Sequence, residues 1–247
     1  MAEGKPGKTL PMQELLKLLE HGEMGECRLT LQGSNYTFFS TLTDDSRGKC
    51  QVVYKPCRGE APLWDFPPGT LYQREYASYL LSEALGWGLV PPTVVRNGQY
   101  GVGSVQLFVD ADPKANYFTL RDTYRNQCLR MCTFDVVANN ADRKGSHCLL
   151  DGMGHIWAID HGVTFHSQHK LRTVIWDFIG EPIPKELLND MRTLQKRFEE
   201  PGGLREALMT VLALEEVNAL QDRVGTLLEQ PVFPSPGLER PIPWPWL

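Results

Sequence analysis

The sequence lacks both a long apolar run and an excess of positive charge. No apolar segment approaches the roughly 18 residues that a bilayer-spanning helix needs, so we predict no transmembrane segment. The 247 residues carry a formal net charge of -5, which argues against broad electrostatic binding to nucleic acid or to an anionic membrane. Residues 1–13 lack the apolar stretch of a signal peptide, so we expect a cytoplasmic protein without nucleic-acid partners.

The chain also has few cysteines and no internal repeat. None of its six cysteines forms a CxxC pair of the kind that binds metals or carries redox chemistry. Cys128 and Cys132 are four residues apart in a helical pattern, so they share one face. We therefore predict small buried thiols in a reducing compartment, not disulfides or metal ligands.

The first 110 residues predict an N-terminal extension followed by a β-rich lobe. The extension covers residues 1–24, in which residues 11–21 read as a short amphipathic helix with Pro11 near its start. From residue 25 to residue 110 the pattern is mainly that of strands, and the turn-rich segment TDDSRGK joins two of them as a hairpin.

One helix interrupts the strands of this lobe. It follows the proline-rich loop RGEAPLWDFPPG, begins near Thr70 and ends at Gly86. Thr70 and Gln73 have the T-x-x-Q spacing of a capping box. Beyond the helix, Asn97-Gly98 predicts the tight turn of a second hairpin.

The rest of the chain predicts a mostly helical lobe and a tail. Helical patterns cover about 119–138, 185–199, 203–213 and 215–229 within a lobe that spans 111–230. The tail, residues 231–247, has six prolines and is either an extended linker or a segment that Trp244 and Trp246 anchor on the body. The predicted fold is therefore α+β with two lobes, and a cleft between such lobes is the default ligand site.

Two aspartates flank a predicted hairpin in the second lobe. The stretch CLLDGMGHIWAI has two apolar runs around a Gly-rich turn. Asp142 precedes this hairpin and Asp160 follows it, which places both carboxylates at its open end. One carboxylate there can accept a proton from an attacking hydroxyl, and the other can hold Mg²⁺ against phosphate oxygens. Alternatively, Asp142 caps a turn and Asp160 is an ordinary polar loop residue.

A lysine and a glutamate in the first lobe fit the same chemistry. Lys55 ends the strand CQVVYK on the face that carries Val53, and an inward lysine needs an anionic partner. Glu75 on the predicted helix is the candidate, because a Lys–Glu pair orients the amine toward ATP phosphates. The alternatives are a lysine that snorkels at a sheet edge and a glutamate on a solvated helix face.

Two further segments are candidate nucleotide contacts. The turn in LQGSNYTFF contains Gly33, Ser34 and Asn35, whose backbone amides and polar side chains suit phosphate oxygens. An ordinary hairpin turn is the alternative. The segment SVQLFVD contributes Gln106 and Phe108 as candidate hinge contacts for adenine.

Taken in order, Lys55, Glu75, NADRKGSH and AIDHG resemble the phosphatidylinositol 3-/4-kinase family, and especially small bacterial proteins related to it. The similarity covers about residues 25–247. It implies a two-lobed protein-kinase-like fold and an ATP-dependent phosphotransferase that uses Mg²⁺ or Mn²⁺. It also implies that Lys55 contacts ATP phosphates, that Glu75 holds Lys55, that Asp142 is the catalytic-loop aspartate, and that Asp160 binds the metal.

The sequence departs from the family pattern at one metal position. The family has an asparagine five residues after the catalytic aspartate, as a ligand of the second metal, and this chain has His147 there. Because Mn²⁺ accepts an imidazole nitrogen better than Mg²⁺ does, we expect a preference for Mn²⁺ or a single tightly held metal. Alternatively, His147 braces the catalytic loop.

The acceptor and the exact reaction stay open at this stage. Lipid kinases need basic residues after the DxG motif, and this chain offers a modest cluster there, consisting of His161, His166, His169, Lys170 and Arg172. The leading function is phosphotransfer to an unidentified protein, lipid or small-molecule hydroxyl. The alternatives are a nucleotide-binding pseudokinase or scaffold, and nucleotidyl transfer on the same fold.

Overall fold

The first lobe is built on one antiparallel sheet. The computed structural model describes residues 10–30, 34–237 and 240–247. The sheet has the strand order β1-β3-β4-β6-β5, and β2 also pairs with β3. The central strand β4 therefore has a partner on each side, which fixes its backbone. The strands are β1 (Glu23–Met24), β2 (Arg28–Leu29), β3 (Phe38–Asp44), β4 (Gly48–Pro56), β5 (Thr93–Gly98) and β6 (Gly101–Leu107).

A helix, α1 (Met12–His21), packs on this sheet and closes a small core. It follows Pro11, as the pattern of residues 11–21 predicts, and ends at Gly22. A Cβ at Gly22 would lie only 2.6 Å from the carbonyl oxygen of Leu18, so no larger residue fits there. The core of this lobe consists of Leu18, Leu19, Phe38, Leu42, Val52, Tyr54, Val94 and Val105.

The helix inserted in this lobe, α2 (Leu71–Leu85), forms as predicted, but its cap does not. The Thr70 hydroxyl donates a hydrogen bond to the carbonyl of Pro67 at 2.7 Å, so the predicted capping box is wrong. The carboxylate of Glu60 instead accepts a hydrogen bond from the Tyr72 amide at 2.8 Å. The preceding loop thus supplies the cap.

The second hairpin turns two residues later than predicted. The pairing of β5 with β6 continues through Asn97 and Gly98, so the turn consists of Gln99 and Tyr100. A Cβ on Gly98 would lie 2.7 Å from the ring of Tyr54. Gly98 is therefore required for close packing against Tyr54 of β4, not for a turn.

The second lobe is helical apart from one hairpin. Its helices are α3 (Tyr117–Leu120), α4 (Arg125–Ala138), α5 (Lys185–Glu199), α6 (Leu204–Met209) and α7 (Leu214–Glu229). The predicted helix over 119–138 is thus divided in two, and the one over 203–213 is shorter. The predicted hairpin forms from β7 (Cys148–Leu150) and β8 (Ile156–Ala158). Together the lobes confirm the α+β prediction.

The six cysteines are free thiols. Cys128, Cys132 and Cys148 are buried, as predicted, whereas Cys27, Cys50 and Cys57 are partly exposed. Among the described residues, no helix is long and apolar enough to cross a membrane. The tail contacts the body through Phe233, which is buried, and through Trp246, whose ring packs edge-on against Phe118. Trp244 is 72% exposed.

Candidate active site

A lysine, a glutamate and an aspartate meet where the sheet faces the β7–β8 hairpin. The Lys55 ammonium contacts Glu75 Oε1 and lies 3.0 Å from Asp160 Oδ1. Glu75 is only 3% exposed, and its second oxygen accepts a hydrogen bond from the His161 amide at 3.0 Å. The structure therefore brings together three of the predicted site residues, one from the central strand, one from α2 and one from the second lobe.

The charges of Lys55 and Asp160 keep each other ionised. Burial alone would lower the pKa of the Lys55 ammonium, but the Asp160 and Glu75 carboxylates outweigh burial and raise that pKa above its usual value. In turn, the Lys55 charge holds the pKa of the Asp160 carboxyl far below its usual range, against the effect of burial. At neutral pH the Lys55 ammonium and the Asp160 carboxylate therefore stay charged.

The residue next to Glu75 anchors α2 to the second lobe. The Arg74 side chain is buried and donates to the carbonyl of Thr164 at 2.6 Å and to Glu216 of α7 at 2.6 Å. The Phe66 ring lies 4.9 Å from its guanidinium. These contacts fix α2 where Glu75 reaches Lys55. The sequence did not predict this role, because an arginine on a helix ordinarily indicates an exposed face.

Asp142 lies in the loop that follows α4. Its amide donates to the Asn140 side chain at 3.0 Å, and its Oδ2 lies 3.0 Å from the Lys144 ammonium. Burial raises the pKa of the Asp142 carboxyl and the Lys144 charge opposes that rise, while the Asp160 charge adds to it. A raised pKa makes a carboxylate a better proton acceptor, which suits the role predicted for Asp142.

Arg143 joins the two loops that carry the aspartates. Its side chain is fully buried and forms a two-pronged ion pair with Asp135 of α4, with a closest Nε–Oδ2 distance of 2.9 Å. It also donates to the carbonyl of Ile159 at 2.9 Å, beside Asp160, and lies 2.8 Å from His161 Nε2. Sequence reasoning missed this hub, although an aspartate within the otherwise apolar segment of α4 was a signal for it.

Asn139 and Asn140 organise the loops around the site. Asn139 ends α4 in the left-handed conformation, with φ of 53°. Its side chain donates to the carbonyls of His166 and Gln168 and accepts from the Lys170 amide. Asn140 donates to Asp135 at 2.9 Å. Both asparagines are therefore engaged within the protein.

His147 lies beside Asp160, on the 3₁₀ turn Gly145–His147. Its Nε2 is 3.3 Å from Asp160 Oδ2, and its Nδ1 accepts a long hydrogen bond from the Lys144 amide at 3.4 Å. Burial lowers the pKa of His147 to about 4, so the imidazole is neutral. While Nδ1 accepts from Lys144, the ring proton is on Nε2, and a metal bound at Nε2 would require the other tautomer. Asp160 itself adopts the left-handed conformation, with φ of 61°, which aspartate tolerates better than most residues.

The side chains around Asp160 fit a metal that is shared with phosphate. In the described part of the chain, no three His, Cys, Asp or Glu side chains form a site that would hold a metal alone. Mg²⁺ usually binds through one or two carboxylates plus substrate phosphates. Asp160 is 46% exposed and ionised, and neighbouring ligands of an octahedral ion stand about 3 Å apart, close to the 3.3 Å between Asp160 and His147.

The segment between β2 and β3, a candidate phosphate contact, is described only in part. Gly33 lies outside the described residues. Ser34 is exposed, whereas the side-chain oxygen of Asn35 accepts a hydrogen bond from the Ala61 amide at 2.7 Å. Asn35 thus ties this turn to the loop before α2, and its contact with phosphate stays a prediction.

The candidate adenine contacts are partly engaged in the sheet. The buried Gln106 side chain donates to the Thr93 hydroxyl at 2.9 Å, and the Phe108 amide donates to the carbonyl of Gln51 at 2.9 Å. A contact between Phe108 and adenine would therefore use its carbonyl or its ring. Both residues stay predictions as nucleotide contacts.

Two members of the basic cluster after the DxG motif, His161 and Lys170, are engaged within the protein. His161 is fully buried, and burial together with the nearby Arg143 charge lowers its pKa well below the usual value. The Lys170 ammonium lies 3.3 Å from Asp65, with both side chains about nine-tenths buried. We correct the expectation for these two residues accordingly.

Comparisons of the sequence with known proteins identify a family and a relative. Residues 70–221 match the family described as phosphatidylinositol 3- and 4-kinase. The chain is 39% identical to "Protein Rv2133c" of Mycobacterium tuberculosis over 266 aligned positions, which cover 92% of this chain and 95% of the relative. That relative confirms the similarity to a small bacterial protein.

Solved structures with little sequence similarity share the fold. The Golgi casein kinase matches with a TM-score of 0.53 at 16% identity, over 94% of this chain and 77% of its own. Hydra Fam20 with sugar matches with a TM-score of 0.55 at 13% identity, over 89% and 88%. The Helicobacter pylori proinflammatory kinase CtkA matches with a TM-score of 0.53 at 10% identity, over 87% and 94%. The chain therefore has a two-lobed, protein-kinase-like fold and belongs to the phosphatidylinositol 3- and 4-kinase family.

Proposed function

We propose that this protein binds ATP between its lobes and transfers the γ-phosphate to a hydroxyl acceptor. Family membership and fold support a kinase-like phosphotransferase in general. The proposal of ATP binding and γ-phosphate transfer rests on the chain of contacts from Glu75 through Lys55 to Asp160. It places an ammonium and a partly exposed carboxylate together, as phosphate and metal binding require.

Each site residue has a distinct task in this reaction. Lys55 binds phosphate oxygens, and Glu75 keeps the ammonium in place. Asp142 accepts the proton of the acceptor hydroxyl as that oxygen forms its bond to the γ-phosphorus and the bond to the β-phosphate oxygen breaks, which releases ADP. Asp160, with His147 beside it, would hold a divalent cation, which supplies charge neutralisation on the phosphate oxygens.

Two alternative functions stay testable. A pseudokinase is motivated by His147 at the position of the family asparagine and by the ion pair between Asp142 and Lys144, which engages the proposed base. Nucleotidyl transfer would release pyrophosphate and leave AMP on the acceptor. The acceptor is a protein, a lipid or a small molecule.

Transfer from labelled ATP separates these functions. The wild-type protein is incubated with either γ-labelled or α-labelled ATP, with Mg²⁺ or Mn²⁺, and with phosphatidylinositol vesicles or a cell lysate. We expect incorporation of the γ label only, and its loss in Asp160→Ala. The control is Asp45→Ala, which removes an exposed carboxylate from the turn between β3 and β4. Incorporation of the α label would indicate nucleotidyl transfer instead of phosphotransfer. ATP binding without incorporation of either label would indicate a pseudokinase.

Binding and chemistry are separated by a second pair of variants. ATP at about 100 times its dissociation constant should stabilise the wild-type protein by roughly 2–3 kcal/mol in thermal-shift titrations. Lys55→Met and Asp160→Ala should lose that shift. Asp142→Asn should keep it and lose about 10²–10⁴ in turnover, the usual contribution of general-base catalysis. Turnover of Asp142→Asn within about twofold of wild type would make Asp142 a structural residue.

A further inference from the structure

The tail segment 240–247 reaches the loop that carries Asp142. The amide of Gly145 donates a hydrogen bond to the carbonyl of Trp246 at 2.9 Å. Gly145 is also wedged between two side chains, since a Cβ there would lie 2.8 Å from the Phe118 ring and 3.1 Å from the Leu247 side chain. Gly145 opens the 3₁₀ turn that carries His147. The tail thus holds the middle of the catalytic loop, which we define as residues 142–147.

The same segment also supports the chain that follows the DxG motif. The carbonyl of Pro241 accepts hydrogen bonds from the Thr173 amide at 2.9 Å and from the Trp176 indole at 3.2 Å. Thr173 forms a parallel bridge with Arg143, in which the amide of Arg143 donates to the carbonyl of Arg172 at 3.0 Å. Tail, following segment and catalytic loop therefore lie side by side, with the tail outermost.

From this arrangement we infer that the tail segment 240–247 is a positioning element for the catalytic loop and acts on the chemical step, not on nucleotide binding. The inference rests on the proposed phosphotransfer. The tail contacts described above end at the catalytic loop and at residues 173–176, while Lys55 is held by Glu75 and Asp160. Loosening the tail should therefore displace Asp142 and leave the contacts of Lys55 in place.

A tryptophan pair within the tail provides matched variants. The Trp246 ring packs edge-on on Phe118 at a centroid distance of 5.1 Å. Trp244 is 72% exposed and has a distant stacking contact with Arg240, at 5.9 Å. Trp246→Ala should therefore release the tail, Trp246→Phe should retain much of the aromatic contact, and Trp244→Ala serves as the control.

The first measurement is steady-state kinetics of phosphotransfer. Because a displacement of about 1 Å can cost roughly 10²-fold in rate, we expect kcat to fall about 10- to 100-fold in Trp246→Ala. The KM for ATP should stay within about threefold, Trp246→Phe should recover most of the rate, and Trp244→Ala should match the wild type. A rise in the KM for ATP that accounts for the whole loss would overturn the inference.

The second measurement does not depend on activity. Hydrogen exchange of peptides covering residues 142–150 should speed up in Trp246→Ala and in a deletion of residues 245–247, but not in Trp244→Ala. Peptides from α5 report whether exchange rises globally. If the deletion does not fold, the single substitutions decide the result. Unchanged exchange over residues 142–150 refutes the tail's hold on the loop. If exchange over residues 142–150 speeds up in Trp246→Ala but the wild-type protein shows no phosphotransfer, the proposed function is refuted and the contact between tail and loop is established.

Discussion

Replacing Arg143 tests whether a buried ion pair holds the two aspartate loops together. Arg143 is 0% exposed and Asp135 is 1% exposed. Arg143→Met leaves the Asp135 carboxylate without its cation and removes the hydrogen bond to the carbonyl of Ile159. Breaking a buried pair by removing one partner typically costs 3–5 kcal/mol. For a chain of this size, about 2–4 °C per kcal/mol gives a fall in Tm of roughly 6–20 °C.

The assay is urea unfolding followed by fluorescence, with thermal unfolding as a check. The control is Arg28→Met, which removes an arginine from an ion pair whose side chains are 79% and 76% exposed and should change stability by less than about 1 kcal/mol. The double variant Asp135→Leu/Arg143→Met should lose less than the sum of the two single variants, because no buried charge is left unpaired. A loss below about 1 kcal/mol in Arg143→Met would refute the idea of a buried hub.

Two further substitutions test the anchoring of the site. Arg74→Met should lose about 3–5 kcal/mol in urea unfolding, because Glu216 loses its cationic partner, and it should also weaken ATP binding in thermal-shift titrations; normal ATP binding would show that α2 does not need this anchor. His147→Asn should raise activity with Mg²⁺ relative to Mn²⁺, because an amide oxygen suits Mg²⁺ better than imidazole does; an unchanged ratio of the two activities would make His147 a brace for the loop.

Local sequence patterns predicted the helices and strands because these elements depend mainly on residues that are close together along the chain. Alternation along CQVVYK placed Lys55 on the face opposite to the buried Tyr54, and Gly86 ends α2 in the left-handed conformation, as its position predicted. The hairpin between Asp142 and Asp160 follows from two apolar runs around a glycine turn. These features depend on neighbours along the chain, so a sequence alone carries them.

Features that depend on distant partners were predicted wrongly or missed. The second hairpin turns at Gln99–Tyr100 because Gly98 must pack against Tyr54 of another strand. The N-terminus of α2 is capped by Glu60 and not by Thr70, since the loop returns that carboxylate to the helix. Neither choice is visible in the local pattern.

The buried charges show most clearly the difference between features set by the local sequence and features set by distant partners. The meeting of Lys55, Glu75 and Asp160 was predictable because their types and order suit phosphoryl transfer. Arg74 and Arg143 pair with Glu216 and Asp135, which lie 142 and 8 residues away in the sequence. Only tertiary packing reveals that these arginines are buried, because an isolated arginine indicates solvent exposure.

The pairing of Lys170 leads to a prediction about the acceptor. Lys170 is held by Asp65 at 3.3 Å and lies 4.9 Å from the Trp64 ring, so an anionic acceptor that approaches this segment competes with an internal carboxylate. Asp65→Asn removes that competitor. The attraction between two opposite unit charges about 4 Å apart in water is roughly 1 kcal/mol. The KM for an anionic acceptor should therefore fall about fivefold, and this gain should shrink at high salt. The KM for an uncharged acceptor and for ATP should not change. Equal effects on charged and uncharged acceptors would show that the Asp65–Lys170 pair only supports the loop, and that acceptor recognition does not involve Lys170.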